Sequence, residues 1–191
     1  MNFLAHLFLS GNDEDVLIGN FIADYVKGNK KDDYPNGIRH GIELHRAIDD
    51  FTDRHEITGQ SRRRLYERHH KYSGVVVDLY YDHFLARHFG DYSGQTLIDF
   101  SQYCYRILSA NEHKLPAGVQ YFLPYMISHD WLGQYATVEG IGRTLTGLGK
   151  RVRFENRMAE AGEDLEEHYP LFEAEFRLFF PQLITFAAQK R

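Results

Sequence analysis

Several short stretches of this 191-residue chain place His or Asp inside apolar runs. The most informative is Val75 to Phe89, which carries Asp78, Asp82 and His83 among Val, Leu, Tyr and Phe. At 100° per residue its apolar side chains leave no polar face, so this helix is expected to be central and buried. A buried carboxylate is costly unless it is paired, neutralised or bound to a metal. His6, Asp24, His45 and Asp49 stand in similar surroundings. His and Asp repeated in apolar helical stretches are candidate ligands for a metal held between helices.

Their spacing sharpens the reading. His45 and Asp49 are four apart on the flank of the stripe Leu44, Ala47, Ile48 and Phe51, so they can face a cleft while the stripe packs. The same spacing also allows a plain hydrogen bond that satisfies both. Asn20, four residues before Asp24, favours a polar notch there. Asp82-His83 resembles, in reverse order, the His-Asp dyad of metal-dependent phosphohydrolases. Adjacent helical side chains diverge by about 100°, so one ion must sit between their directions. His129-Asp130 is a literal His-Asp pair, but at a helix start where Asp130 has a ready role as N-cap.

His and Asp without Cys suit Mn²⁺, Mg²⁺ or Fe²⁺. Such an ion polarises phosphoryl oxygens and lowers the pKa of bound water. The chain has no Walker A loop, no Gly-x-Ser-x-Gly elbow and no His-Glu-x-x-His. Its single cysteine, Cys104, excludes an internal disulfide and a thiolate zinc cluster, and reads as a small hydrophobe.

The elements that must hold these residues are predicted to be helices nearly throughout. Residues 2 to 9 read as a short helix or an extended start. Asp13 caps a helix from Glu14 to Lys27, ended by Gly28-Asn29. Further helices are expected over about 37–54, 58–70, 74–89 with Ser73 as cap, and 95–108. Others are expected over 121–128, 131–148, 151–161 and 165–188, the last kinked near Pro170 and Pro181. Strand signals are few and no repeat or linker is found. The expected architecture is an all-α, single-domain helical bundle over residues 1–191. The aromatic C-terminal helix (Phe172, Phe176, Phe179, Phe180, Phe186) fits either core or interface.

Hydrophobic residues make up 43% of the chain, enough for a sizeable core, and the net charge of −5 argues against a nucleic-acid binder. Arg62, Arg63, Arg64, Arg68 and Lys71 form a basic block against this acidic background. The apolar N-terminal run has no basic n-region and is broken by His6, so it is a poor signal peptide. No run reaches the roughly 20 apolar residues of a membrane span. The expectation is a soluble cytoplasmic protein that engages neither nucleic acid nor membrane.

Four separated motifs are similar to one known family. They are Met1-Asn2-Phe3-Leu4-Ala5-His6-Leu7, Gly19 to Gly28, Gly41 to Asp49 with Thr52-Asp53, and Asp82 to His88. In order and spacing they resemble the acyl carrier protein phosphodiesterases, over nearly the full length. The resemblance implies an HD-like helical fold and a Mn²⁺-dependent reaction. In that reaction the phosphodiester joining 4′-phosphopantetheine to a serine of holo-acyl carrier protein is hydrolysed, giving apo-protein and free 4′-phosphopantetheine. It makes His6, Asp24, His45, Asp82 and His83, with Asp49, the candidate metal ligands, and Asp24, His45, Asp82 and His83 the candidate catalytic set. Arg46 and Arg87 are candidates for holding a phosphoryl oxygen. The Arg62–Lys71 block is the candidate docking patch for an acidic carrier protein. Two other readings fit the same residues: an HD-type hydrolase of a nucleotide or other small phosphodiester, and a non-catalytic module that binds the carrier protein.

Overall fold

The computed structural model describes residues 1–191, with twelve α-helices, five short 3₁₀ turns and no strand. The helices are α1 (Phe3–Leu9), α2 (Glu14–Ile22), α3 (Asn36–Arg54), α4 (Glu56–His69), α5 (Ser73–Arg87) and α6 (Phe89–Tyr92). They continue with α7 (Leu97–Ala110), α8 (Ala117–Ser128), α9 (Trp131–Gln134), α10 (Val138–Gly149), α11 (Ala161–Glu167) and α12 (Tyr169–Lys190). The all-α expectation holds.

The helix without a polar face is the central one. In α5 every residue from Leu79 to Ala86 is buried, including Asp82 and His83. It packs against α1, α4, α10 and α12. The aromatic face of α12 belongs to this core. Phe172, Phe176, Phe179 and Phe180 are fully buried, and Tyr80 and Tyr81 meet Phe172 and Phe176 edge-on at 5.0 and 5.7 Å. Such rings contribute both buried area and quadrupole contacts.

The positioning of the site depends most on α2 and α3. A Cβ on Gly19 would lie 2.0 Å from the Ile38 carbonyl oxygen, and one on Gly41 2.2 Å from that of Val16. Only glycine lets the two backbones approach this closely. Asp13 starts α2 by accepting from the Asp15 and Val16 amides. The helix stops at Ile22 rather than running to Lys27, and tightens into a 3₁₀ turn over Ala23–Tyr25 that carries Asp24.

Other boundaries differ from expectation for local reasons. Ser73 lies inside α5 instead of capping it. The stretch expected as one helix over 131–148 is split, because the Thr137 hydroxyl caps α10 by accepting from the Gly140 amide at 3.0 Å. The helix expected over 151–161 does not form. The Asn156 side chain donates to the Gly149 and Phe154 carbonyls and accepts from the Met158 amide, and these local bonds replace helical ones.

Candidate metal centre

The site is built where α1, α2 and α3 meet. His6 comes from α1, Asn20 from α2, Asp24 from the turn after it, and His45 and Asp49 from successive turns of α3. The His6 and His45 rings stack, with centroids 3.8 Å apart and planes inclined by 14°. Both rings are oriented by one residue. His6 Nδ1 lies 2.8 Å from Asn20 Oδ1, and His45 Nδ1 lies 2.8 Å from the Asn20 backbone oxygen. The Asn20 amide nitrogen is occupied in donating to the His6 carbonyl and to Ser10 Oγ, so its Oδ1 is the acceptor. Each imidazole therefore carries its proton on Nδ1 and directs an Nε2 lone pair the other way.

The two Nε2 atoms converge on carboxylates. His6 Nε2 is 3.1 Å from Asp49 Oδ1 and His45 Nε2 is 3.1 Å from Asp49 Oδ2. His45 Nε2 is also 3.4 Å from Asp24 Oδ1, on the solvent side. One ligand atom each from His6, His45 and Asp49 falls within 4.8 Å of the others. With both Nδ1–H groups fixed from behind, His6 Nε2 and, once it gives up its proton, His45 Nε2 face the shared Asp49 carboxylate, a donor set that fits a divalent cation.

The charges are strongly coupled. Burial opposes a charge on His45, but its hydrogen bonds with Asp24 and Asp49 outweigh that and raise its pKa to about 9. Burial and then the neighbouring His45 charge lower the pKa of His6 to about 4. Burial would raise the Asp49 pKa, yet the two imidazoles hold the carboxyl well below the usual range. The bond with His45 likewise keeps Asp24 low. Without a cation, one proton on His45 Nε2 does the neutralising.

The structure sets Asp82 and His83 apart from this cluster. Both Asp82 oxygens accept backbone N–H groups at the start of α1, from Leu4 at 2.7 Å, Asn2 at 3.2 Å and Ala5 at 3.3 Å. Asp82 thus caps the helix that carries His6. Burial pushes its pKa up to about 7 against those bonds. His83 turns away. Its Nδ1 is 2.8 Å from the Tyr135 carbonyl and its Nε2 2.9 Å from the Tyr169 hydroxyl, so both nitrogens are hydrogen-bonded. Neither residue contributes an atom to the His6–His45–Asp49 group. Asp78 pairs with the Met1 amino group at 3.0 Å.

The arginines also differ from expectation. Arg46 donates to the Val26 carbonyl at 3.0 Å, bracing the segment beyond Asp24 rather than facing the cluster. Arg87 is exposed at the end of α5, beside Tyr169. In the basic block, Arg62 pairs with Asp53, Arg64 forks onto Glu175, and Arg68 is held by Asp164. Lys71 lies 3.7 Å over the Phe154 ring. Arg63 alone of the five has no such partner. The block is therefore largely an internal brace of α4.

Tyr25, the residue after Asp24, lines a cavity of about 610 Å³. Phe3, Tyr25, Phe122 and Trp131 form an aromatic wall, with Phe122 and Trp131 stacked at 5.9 Å. Arg143 and Arg151 also line it. Asp130 adopts a left-handed conformation and caps α9. Its neighbour His129 lies on the cavity wall.

The family model described as acyl carrier protein phosphodiesterase matches residues 1–183. The chain belongs to the acyl carrier protein phosphodiesterase family. Family members of that name from Klebsiella pneumoniae and Yersinia pestis are 32% and 33% identical to it over 192 residues, covering both chains completely. One from Escherichia coli O6:H1 is 31% identical over 194 residues, covering all of this chain and 99% of its own. No solved structure shows significant similarity. Within this phosphodiesterase-family chain, the double role of Asn20 is what sequence reasoning did not reach. Its one signal was a buried-type amide four residues before Asp24.

Proposed function

We propose that the chain hydrolyses the phosphodiester between 4′-phosphopantetheine and a serine of holo-acyl carrier protein, using a divalent cation held by His6, His45 and Asp49. The observation that carries the metal reading is the convergence of the two Nε2 atoms on Asp49, with both Nδ1 atoms fixed by Asn20. Oxygen and imidazole donors without thiolate favour Mn²⁺, with Mg²⁺ and Fe²⁺ as alternatives. A cation bound there supplies positive charge that offsets the anionic diester and acidifies water.

The chain's own groups do the rest. Asn20 keeps both rings aligned. Asp49, flanked by both imidazoles, stays ionised. Asp24 is 72% exposed on the open side of His45 and remains a carboxylate, so it can accept a proton from the attacking water. Water adds to phosphorus, the bond to the serine oxygen breaks, and that oxygen takes up a proton. Asp82 acts as a positioning residue by fixing α1. We place the reaction in the cytoplasm and in one HD-type domain spanning residues 1–191. No helix is long and apolar enough to cross a membrane. An acidic carrier protein is met by Lys150, Arg151 and Arg153, which are exposed and unpaired, with Arg151 on the cavity wall.

The test is mass spectrometry of holo-acyl carrier protein incubated with the protein and Mn²⁺, with and without a chelator. Metal-dependent loss of the whole arm is expected. An unchanged mass, with a working control enzyme, sinks the proposal for that carrier.

A further inference from the structure

The cavity lined by Tyr25 is not explained by cleavage of the diester alone. Its walls include chain neighbours of the site's residues. Tyr25 follows Asp24 directly, and Asn2 and Phe3 open the helix that carries His6. Its volume of about 610 Å³ lies within the roughly 300–1,000 Å³ typical of small-molecule sites. Its chemistry is divided. Four aromatic rings form one side, while Gln134, Thr144 and Arg151 supply polar groups.

The diester of the proposed reaction has two branches of very different size. One is a folded protein joined through serine, too large for such a cavity. The other is a slender chain carrying two methyl groups on one carbon, a hydroxyl, two amides and a terminal thiol. We propose that this cavity is the binding site for the pantetheine arm, with the branched dimethyl segment against the Phe3–Tyr25–Phe122–Trp131 wall and the amides toward the polar side. The inference rests on the functional reading above and extends it. The arm is gripped while the carrier protein stays outside, against the exposed cations of residues 150–153. Specificity for this diester then comes from the cavity, and the His/Asp cluster serves any diester that reaches it.

Two features make this directly testable. Trp131 is the only tryptophan in the chain, so its emission comes from the cavity wall. Gly147 lines the cavity, and a Cβ there meets nothing within 4 Å, so the position accepts a side chain. Titrating metal-free protein with pantetheine, which lacks the phosphate, is expected to change Trp131 emission saturably, and Gly147→Phe is expected to abolish the change. Gly147→Phe is also expected to lower kcat/KM for holo-acyl carrier protein by about tenfold or more, with Mn²⁺ affinity and Tm unaltered. Thr144→Leu narrows the same space from a second position and serves if Gly147→Phe fails to fold. The proposal is overturned if pantetheine leaves Trp131 unaffected up to millimolar concentration, or if a well-folded filled variant turns over holo-protein like wild type. If wild type does not act on holo-protein at all, the functional reading fails by itself, and the Trp131 titration still decides what the cavity binds.

Discussion

Gly19 of α2 and Gly41 of α3 meet backbone to backbone, so that a Cβ on either would lie 2.9 Å from the other's Cα. This contact places Asn20 against His45 and fixes the site's geometry. Gly41→Ala puts a methyl group where the Val16 carbonyl stands, and α2 must move. Overpacking of this kind costs about 2 kcal/mol. Urea unfolding should register that loss, and a Mn²⁺ titration by electron paramagnetic resonance should show weakened binding in the fraction that remains folded.

Asn20→Ala removes the acceptor of His6 Nδ1 and the donor to Ser10 Oγ, leaving the His6 carbonyl only its bond from the Ser10 hydroxyl. Groups that orient metal-binding histidines affect affinity by about 10–100-fold. A loss in that range for Mn²⁺ is expected, measured by competition with a chelating dye. Affinity equal to wild type would mean that Asn20 does not set the tautomers.

Asp82 and Asp49 should separate in their phenotypes. Asp82→Ala strips three amides at the start of α1 of their acceptor, so a stability loss of about 1–3 kcal/mol is expected, with Asp82→Asn restoring part of it. Asp49→Ala should abolish Mn²⁺ binding, whereas Asp82→Ala, in the fraction that stays folded, should keep it. Thermal melts and metal titrations of the two variants, side by side, check the division.

His45 titrates at about 9, above its ordinary 6.5. A raised pKa means the protonated form favours the folded state. That contribution is complete below about pH 6.5 and is lost as pH climbs through about 9. The ion competes with the same proton for Nε2, so Mn²⁺ affinity should rise over the same window. Tm measured across it should fall for metal-free protein and fall less, or not at all, with saturating Mn²⁺. A parallel decline in both would remove His45 from the ligand set.

Charge reversal distinguishes the two basic surfaces. Arg64→Glu sets a carboxylate against the part-buried Glu175 and should destabilise the fold by about 2 kcal/mol or more. Arg153→Glu breaks no ion pair, so Tm should hold while KM for the acidic carrier protein rises severalfold in a salt-dependent way. Steady-state kinetics at two ionic strengths decides this.

The helical class was legible because the 3.6-residue period recurs along most of the chain, and α5 was recognisable as central from its lack of a polar face. His45 and Asp49 could be paired from their four-residue spacing, since that relationship is local. Asp82 and His83 drew notice as ionisable groups in an apolar helix, and spacing alone did not reveal their partners. A buried Asp in an apolar helix needs partners, but its spacing cannot distinguish a cation from the amides of a helix whose first residue lies 79 positions earlier. Spacing is equally silent about ring orientation, so the turning of His83 toward Tyr135 and Tyr169 was invisible. The basic block drew attention by its charge, while the carboxylates that occupy it, Glu175 and Asp164, lie about a hundred residues further on.

The bond from Asp82 to the start of α1 also dictates an order of events during synthesis. α1 has only seven residues, too few to hold a helix unaided in water. The carboxylate that anchors the helix of His6 is synthesised some eighty residues after that helix. A nascent chain that ends before α5 therefore holds His45, Asp49 and a wandering His6. At the proposed site, metal capture would wait until α5 has closed over α1.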